Sequence, residues 1–312
     1  MDRQIFSESC NRLFSSSKLN YISKEKALSD DLVSVKMFNE PIIAVTDASN
    51  YEFENLKRED VIGEHFMLPT EWLPEAKSVI SFFFPFTETI RNSNKENMSY
   101  PSKGWLNGRI EGQQFINDFS ACIVDFLDNN GFKSVSPSID KKFFTNADFD
   151  ENGINKLYTS NWSERHVAYV CGMGTFSLSK GLITDKGVAG RLTSVITDLH
   201  LLADDIKIKP FEENCIMCGK CIKNCPVNAI SFEHGKNHKI CSGFLNLVRS
   251  ENSPRYGCGK CQVDVPCEYR NPNYVHIKKL GEAESQLKNG AELVDGETVL
   301  NKLRDKHGRK KA

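Results

Sequence analysis

The pattern of apolar and polar positions predicts a mixed α/β arrangement in the first two thirds of the chain. Residues 41–46 (PIIAVT) and 76–85 (AKSVISFFFP) are short apolar runs that predict strands, the second of them buried and ended by its proline. From residue 115 to residue 129, apolar side chains recur at helical spacing, and Asn130-Gly131 is expected to end that helix. The longest apolar run, residues 79–86, is far shorter than the roughly 20 residues that span a membrane, so no membrane association is expected.

A second helical pattern lies near the C-terminus. Residues 285–306 carry apolar side chains at positions that predict a helix packed on the body of the protein: Leu287, Leu293, Val299, Leu300 and Leu303. The last nine residues, RDKHGRKKA, are basic and are expected to be frayed.

Composition and charge narrow the class of protein. The 312 residues include 40 basic and 41 acidic side chains and are 39% hydrophobic, which is typical of a globular protein rather than a disordered one. A net charge of −1 gives no overall basic field for nucleic acid or an anionic membrane. The start of the chain, MDRQIFSESC, has no apolar stretch of the kind found in secretory signals, which favours a cytoplasmic location. In that compartment eleven cysteines do not indicate a disulfide scaffold.

The cysteines divide the chain. Cys10, Cys122 and Cys171 are scattered, whereas the other eight lie between Cys215 and Cys267. Cys10 is expected to be an ordinary thiol of an N-terminal helix, and Cys122 and Cys171 are expected to be packed side chains. This step in composition places a domain boundary near residues 207–210. The predicted organisation is a mixed α/β catalytic domain at 1–207, a cysteine-rich domain at 208–275 and a helical tail at 276–312.

The first cysteine run has a specific spacing. Cys215, Cys218, Cys221, Cys225 and Pro226 form C-x2-C-x2-C-x3-C-P, the ligand run of bacterial two-cluster ferredoxins. Three thiolates two residues apart let a tight loop wrap one face of a cubane, while the fourth points towards a second cluster. Two [4Fe–4S] clusters are therefore predicted.

Four further cysteines complete the set, and Cys258-Gly-Lys-Cys261 repeats the tetrad Cys218-Gly-Lys-Cys221. We predict crossed ligation, with cluster one held by Cys215, Cys218, Cys221 and Cys267, and cluster two by Cys225, Cys241, Cys258 and Cys261. One alternative makes Asp264 a ligand and leaves Cys241 free. Another is a zinc site of four thiolates, although zinc does not explain the tight triplet followed by C-P.

A pair of cubanes moves single electrons at low potential. About 200 residues precede the clusters, so a partner domain is expected to hold the group that is reduced. In that domain the glycine-rich turn from Cys171 to Ser177 (CGMGTFS) is a weak signal, because it lacks the third glycine of a dinucleotide fingerprint.

The order of these motifs resembles that of the epoxyqueuosine reductase family and, more distantly, the reductive dehalogenases. The resemblance runs from about residue 41 to Cys267, and its specific parts are the eight cysteines and residues 164–198. It implies a nitroreductase-like α/β domain beside a ferredoxin-like domain, with a cobalamin bound between them. It also implies an oxygen-sensitive enzyme that takes electrons from an external low-potential donor, such as a ferredoxin or flavodoxin. The family's crossed ligation agrees with the assignment made from spacing.

The resemblance also implies a proton donor. Epoxyqueuosine reductases carry an aspartate six residues before a Glu-Arg pair, which corresponds here to Glu164-Arg165. This chain has Tyr158 at that position, and dehalogenases of the superfamily use a tyrosine as proton donor. Tyr158 is therefore the predicted catalytic residue, with a packing or hydrogen-bonded tyrosine as the alternative.

Other contacts follow from the same resemblance. Glycines admit backbone N–H groups and short hydroxyls bind amides, which predicts these residues at the rim of a corrinoid: Gly172, Gly174, Thr175, Ser177, Gly181 and Thr184, together with Arg191. Arg165 and Arg191 are interpreted either as partners of internal ion pairs or as residues that face the substrate.

The sequence leaves three functional hypotheses. The first is a cobalamin-dependent iron–sulfur reductase that cleaves or deoxygenates a small organic substrate. The second is an electron-transfer protein of ferredoxin type that serves a corrinoid protein or another partner. The third is an epoxyqueuosine reductase acting on tRNA, which the missing aspartate and the near-zero net charge disfavour.

Overall fold

The computed structural model describes residues 1–147, 158–204 and 209–273, except for the side chains of Ala147 and Tyr158. Met1–Pro272 form one compact unit. The predicted C-terminal tail, with its helix at 285–306, lies outside the described residues. The division at residue 207 remains a prediction.

The described residues contain eight α-helices, and the longest of them spans 27 residues. In chain order they are α1 (Arg3–Ser16), α2 (Glu52–Asn55), α3 (Pro69–Trp72), α4 (Glu88–Ser93), α5 (Lys103–Asn129), α6 (Glu164–Val170), α7 (Lys220–Lys223) and α8 (His238–Asn252). Within the described ranges, no helix is both long and apolar enough to cross a membrane.

Ten short strands accompany these helices. They are β1 (Ile42–Asp47), β2 (Ser78–Pro85), β3 (Ser134–Val135), β4 (Thr145–Ala147), β5 (Tyr158–Ser160), β6 (Gly174–Phe176), β7 (Leu182–Thr184), β8 (Gly190–Thr197), β9 (Ile230–Ser231) and β10 (Gly235–Lys236). The predicted mixed α/β class is confirmed.

A four-stranded antiparallel sheet, in the order β1-β2-β8-β3, forms the centre of the unit. Every residue of β2 is buried, which confirms the buried strand predicted there. The strand predicted at 41–46 is β1, displaced by one residue.

The two faces of β2 support two separate cores. Ile80, Phe82 and Phe84 pack with side chains of α1 and α5, whereas Val79 and Phe83 pack with the opposite core, beneath α6. This alternation is the period-two pattern of a strand covered on both faces. The Phe84 ring meets Phe119 of α5 edge-on, with 5.1 Å between centroids, and such pairs stabilise a core beyond the area they bury.

Helix α5 ends at the predicted Asn129 but begins at Lys103, twelve residues earlier than predicted. Its first half contains three glycines, and glycine has a low propensity for the interior of a helix. Two of them make room for aromatic rings, because a Cβ at Gly112 would lie 2.8 Å from the Phe38 ring and one at Gly108 would lie 3.0 Å from Phe86. Tertiary packing therefore overrides the low helix propensity of glycine here.

The scattered cysteines are mostly packed thiols. Cys171 is buried, as predicted. Cys10 lies on the N-terminal helix α1, as predicted, and is also buried, which raises its pKa to about 12. The predicted core packing of Cys122 is wrong, because this side chain of α5 is only half-buried. Its neighbours there include Asp118 and Asp125, which raise the pKa of the thiol together with burial, the larger cause.

Candidate metal centres and the adjoining cleft

The glycines of the two C-G-K-C tetrads share one backbone conformation. Gly219 and Gly259 occupy the same place in their tetrads and have φ values of 70° and 69°. This left-handed conformation favours glycine and turns the chain sharply between two cysteines. The repeat seen in the sequence is therefore a structural repeat at this position.

Four cysteines line a cavity of about 370 Å³ that is open to solvent, and we call them the first sulfur set. They are Cys215, Cys218, Cys221 and Cys267. Three of the four pack against a small apolar cluster formed by Ile183, Val188 and Val265. The first sulfur set thus combines three cysteines of the first run with the last cysteine of the second cysteine run, which consists of Cys241, Cys258, Cys261 and Cys267.

The other four cysteines line a larger cleft of about 970 Å³ that is open to solvent, and we call them the second sulfur set. They are Cys225, Cys241, Cys258 and Cys261. Cys241 is contributed by the first turn of α8, and the backbone N–H of Ala229 donates to the Cys225 sulfur at 3.2 Å. The two groups of four have the same members as the two ligand sets predicted from spacing. Ligation itself remains a prediction.

The chemistry of the sulfurs fits a cationic centre. Burial raises the pKa of Cys258 to about 12 and that of Cys221 to about 11, and the neighbouring cysteines add to both shifts. Burial also raises the pKa of Cys267, and its electrostatic neighbours are the other members of the first sulfur set. Thiols in such places stay protonated at neutral pH unless a metal offsets the charge of the thiolates. Among the described residues no three His, Cys, Asp or Glu side chains are arranged to hold a single metal ion.

Asp264, the alternative ligand, points elsewhere. Its carboxylate forms an ion pair with Lys220 at 3.0 Å, and the side chain is exposed. Asp264 is not among the residues lining either cavity, whereas Cys241 lines the cleft. The geometry favours Cys241 over Asp264 as the eighth donor.

Most of the predicted corrinoid contacts face inward. Their hydroxyls bond within the protein: Thr175 accepts from the Asn214 N–H, Ser177 lies 3.0 Å from the Ser179 hydroxyl, and Thr184 donates to the Gly187 carbonyl. Gly174 lies against the backbone of Ile183, Gly181 lies against Val188, and Gly172 makes a turn with φ of 71°. Arg191 lines the open cleft, and Ser177 lines the cavity of the first sulfur set. These seven residues do not form the rim of one cavity, so their role as cofactor contacts remains a prediction.

Tyr158, the predicted proton donor, is the first residue of β5 and pairs with Ala147 of β4. Its side chain lies outside the described residues. The catalytic role of Tyr158 therefore also remains a prediction.

Basic side chains line the cleft beside the second sulfur set. They are Arg109, Arg165, Arg191, Lys236 and Lys260. Of the two interpretations of Arg165 and Arg191, the internal ion pair is not found among the described residues, and both side chains line the cleft. Sequence reasoning missed Arg109, because the half of α5 that carries it was not predicted to be helical. No sequence signal pointed to Arg109.

Glu164, the residue before Arg165 on α6, carries a buried carboxyl. Burial raises the pKa of Glu164 to about 7, and neither carboxylate oxygen has a hydrogen-bond partner in the described part of the chain. A folded pKa above the usual 4.5 means that the folded chain binds this proton more tightly, so stability falls as pH rises from about 4.5 to about 7. Glu164→Gln should remove that dependence, worth on the order of 1–2 kcal/mol after relaxation.

The measurement is the apparent melting temperature of the variant and the wild type at pH 5 and pH 7.5. We expect the variant to gain on the wild type by several degrees between the two pH values. Glu8→Gln, at an exposed position of α1, is the control and should show a constant difference. A constant difference for Glu164→Gln as well would contradict the assignment.

Comparison with known proteins agrees with the cysteine pattern. Residues 208–231 match the model of the "4Fe-4S binding domain" family. The chain is 31% identical over 115 residues to epoxyqueuosine reductase of Vibrio cholerae, a match that covers 33% of this chain and 30% of that protein. The predicted resemblance to epoxyqueuosine reductases is confirmed, although the match spans less than a third of the relative's length.

Solved structures also align with the chain. A crystal structure of epoxyqueuosine reductase with a tRNA-Tyr epoxyqueuosine-modified stem loop aligns at a TM-score of 0.46 and 17% identity, over 84% of this chain and 66% of that one. The catabolic reductive dehalogenase NpRdhA, in complex with 3-bromo-4-hydroxybenzoic acid, aligns at a TM-score of 0.46 and 14% identity, over 89% of this chain and 38% of that one.

The comparisons bear on one expectation, that tRNA is not a partner. Near-zero net charge and the missing aspartate argued against tRNA as a partner. The curated relative is named epoxyqueuosine reductase, and the first of these structures holds a modified tRNA stem loop.

Proposed function

We propose that this chain is an iron–sulfur reductase that accepts electrons from an external low-potential donor and reduces a small organic substrate in the cleft beside the second sulfur set. Two [4Fe–4S] clusters, when bound, supply one-electron transfer at low potential. The first sulfur set would hold one cluster and the second sulfur set the other. A protein of this kind is expected to be cytoplasmic and sensitive to oxygen.

One observation carries the proposal: in the described part of the chain eight cysteines lie in two groups of four, and the second group borders the larger of the two open spaces. The first sulfur set packs against apolar side chains in the smaller cavity. The second sulfur set shares its cleft with Trp105, Tyr256 and several cations. A substrate in that cleft would lie directly beside the second set, while the first would be available to the donor.

The chain also supplies groups that stabilise negative charge on the sulfurs. The Lys236 ammonium lies 3.7 Å from the Cys261 sulfur. Removing this charge in Lys236→Met should disfavour the reduced form, which carries one more negative charge. We expect the midpoint potential of the second centre to fall by about 30–60 mV, the equivalent of one modest hydrogen bond.

Anaerobic redox titration followed by electron paramagnetic resonance measures this potential. Lys18→Met makes the same change of charge at an exposed position near the end of α1 and should leave both potentials unchanged. Equal shifts in the two variants would show that total charge, rather than the contact with Cys261, sets the potential.

The resemblance further implies a cobalamin, with Tyr158 as the proton donor to the substrate. In the described part of the chain, Arg191 lines the cleft and Ser177 lines the smaller cavity, but the seven predicted corrinoid contacts do not form the rim of one cavity and so do not fit this group. We derive no step through it. Cobalt content after anaerobic incubation with cobalamin and gel filtration tests the cofactor, and corrinoid absorbance that stays with the protein would restore it.

The experiment that tests the proposed function is an inventory of iron, sulfide, zinc and cobalt in anaerobically purified protein. We expect about eight irons and eight sulfides per chain. A protein that contains zinc, or about four irons or fewer, would contradict the proposal. Full iron content with no ligand binding in the cleft would favour the electron-carrier hypothesis.

Epoxyqueuosine reduction on tRNA is the second candidate, favoured by the name of the curated relative. Under this alternative the iron–sulfur chemistry is the same and the substrate is a modified nucleoside in a tRNA loop. Binding of an epoxyqueuosine-containing stem loop should then weaken steeply with salt, as phosphate contacts are lost. Turnover of that stem loop would select this candidate, and absence of both binding and turnover would remove it.

A further inference from the structure

Three arginines meet in the cleft beside the second sulfur set, and we call this part of it the arginine cleft. Arg109 comes from α5, Arg165 from α6 and Arg191 from β8. Burial lowers the pKa of all three groups, and Arg109 is a further cause of the shift at the other two. Three guanidinium groups thus lie near enough to repel one another.

Within the described chain, these arginines bond only to neutral groups. Arg109 donates to the Tyr256 hydroxyl at 3.0 Å, Arg165 to the Lys180 carbonyl at 2.6 Å, and Arg191 to the Gln113 side-chain oxygen. The Nε of Arg191 is buried and has no acceptor in the described chain. A partly buried guanidinium with an enclosed nitrogen that lacks an acceptor is costly, so Arg191 points to a negatively charged partner.

Two partly buried arginines elsewhere in this protein have acidic partners. Arg255 pairs with Glu111 at 2.9 Å, and Arg91 pairs with Glu268 at 2.6 Å. No carboxylate among the described residues lines the arginine cleft. The fold therefore supplies acidic partners to enclosed arginines at other places but not in this cleft.

A thiolate-bound cluster could compensate one of the three charges. Arg165 has Cys261 and Cys241 among its electrostatic neighbours, so it faces the second sulfur set. Arg191 instead has Arg109, Tyr256 and Arg165 as its neighbours. Arg109 has Tyr256 and Arg249. Among the described residues, Arg109 and Arg191 therefore have no negative partner even when a cluster is counted.

We propose that Arg109 and Arg191 bind the phosphate of an organic phosphate monoester, which would be the substrate class of the cleft. Guanidinium forks match phosphate oxygens in pairs, and two forks together suit a dianion better than a single carboxylate. Trp105, Phe86 and Tyr256 line the same cleft and would pack on the apolar part of such a molecule. This inference rests on the proposed function for the role of the ligand, but binding itself requires no turnover.

The test is calorimetric titration of anaerobic holoprotein with inorganic phosphate and with glycerol phosphate, in chloride buffer of constant ionic strength. We expect saturable binding by wild type and at least tenfold weaker binding by Arg191→Gln. Arg191→Lys keeps the charge without the fork and should show an intermediate loss. Arg58→Gln is the matched control, because Arg58 is 63% exposed and pairs with Asp60 at 2.6 Å, and it should bind as wild type does.

Iron content is measured on every sample, so the two proposals can fail separately. Full iron with no phosphate binding by wild type, or equal weakening in the Arg58 and Arg191 variants, would overturn the arginine cleft as a phosphate site. Binding of an RNA stem loop without binding of either small phosphate would overturn the small-molecule assignment in favour of a polynucleotide. Low iron with phosphate binding retained would contradict the reductase and leave the anion site standing.

Discussion

Cys267→Ala and Cys241→Ala should each remove about four irons per chain and should remove them from different centres. Cys267 belongs to the first sulfur set and Cys241 to the second. Each substitution removes one of the four thiolates of a single cluster and destabilises that cluster. The other cluster keeps all four of its donors. Iron and sulfide analysis with electron paramagnetic resonance should therefore show a different remaining signal in each variant.

The crossed arrangement makes this result specific. If each cysteine run held its own cluster, Cys241 and Cys267 would be ligands of the same cluster. The two variants would then keep the same signal rather than different ones. Cys122→Ala, at a half-buried thiol of α5, is the control and should keep about eight irons. Full iron in Cys241→Ala, with loss in Asp264→Ala, would transfer the eighth ligand to Asp264 and contradict our assignment.

Gly187→Ala should be strongly destabilising. Gly187 has a φ of 83°, and a Cβ there would overlap the backbone of Glu268. The next two residues hold the end of the second cysteine run, through Val188 N–H to the Cys267 carbonyl at 2.8 Å and Ala189 N–H to the Glu268 carbonyl at 3.0 Å. Backbone strain and the overlap together should cost about 3–5 kcal/mol, or roughly 6–20 °C in apparent melting temperature.

Anaerobic thermal unfolding at a fixed scan rate measures this effect, with iron content as a second readout. Iron should be lost from the centre that contains Cys267. Gly243→Ala is the control, because Gly243 lies on the exposed side of α8 with nothing within 4 Å of a Cβ. That substitution should be neutral or should stabilise by up to about 1 kcal/mol. A similar loss in both variants would show that the close approach at Gly187 does not matter.

The sequence predicted the elements whose pattern is local. The apolar run of β2 and the end of α5 at Asn129 could be read directly, because continuous burial and a terminating Asn-Gly pair leave clear signals. The grouping of the cysteines could also be anticipated, since fixed spacing limits which sulfurs can reach a common centre. Short strands such as β6 and β7 pair with each other across a turn. Strands of this length have no comparable periodicity in the sequence.

The cleft could not be predicted, because its cations come from distant parts of the chain. Arg109 and Arg191 are separated by 82 positions in the sequence (191 − 109) and meet only when α5 packs on the sheet. The start of α5 was itself hidden by glycines whose role is to admit aromatic rings. Long-range packing of this kind has no signature in a single sequence.

Hydrogen bonds join the loop of the second cysteine run to the segment between α4 and α5. Asn94 donates to the Cys258 carbonyl at 2.9 Å, and the buried Lys260 ammonium donates to the Asn94 carbonyl and side-chain oxygens at 2.6 and 2.7 Å. Since α5 also carries Arg109, the sulfurs and the proposed phosphate site share one support. Electron tunnelling slows steeply as donor and acceptor separate, and a shared support keeps that separation constant during thermal motion. A substrate held there would meet the same tunnelling distance at every turnover.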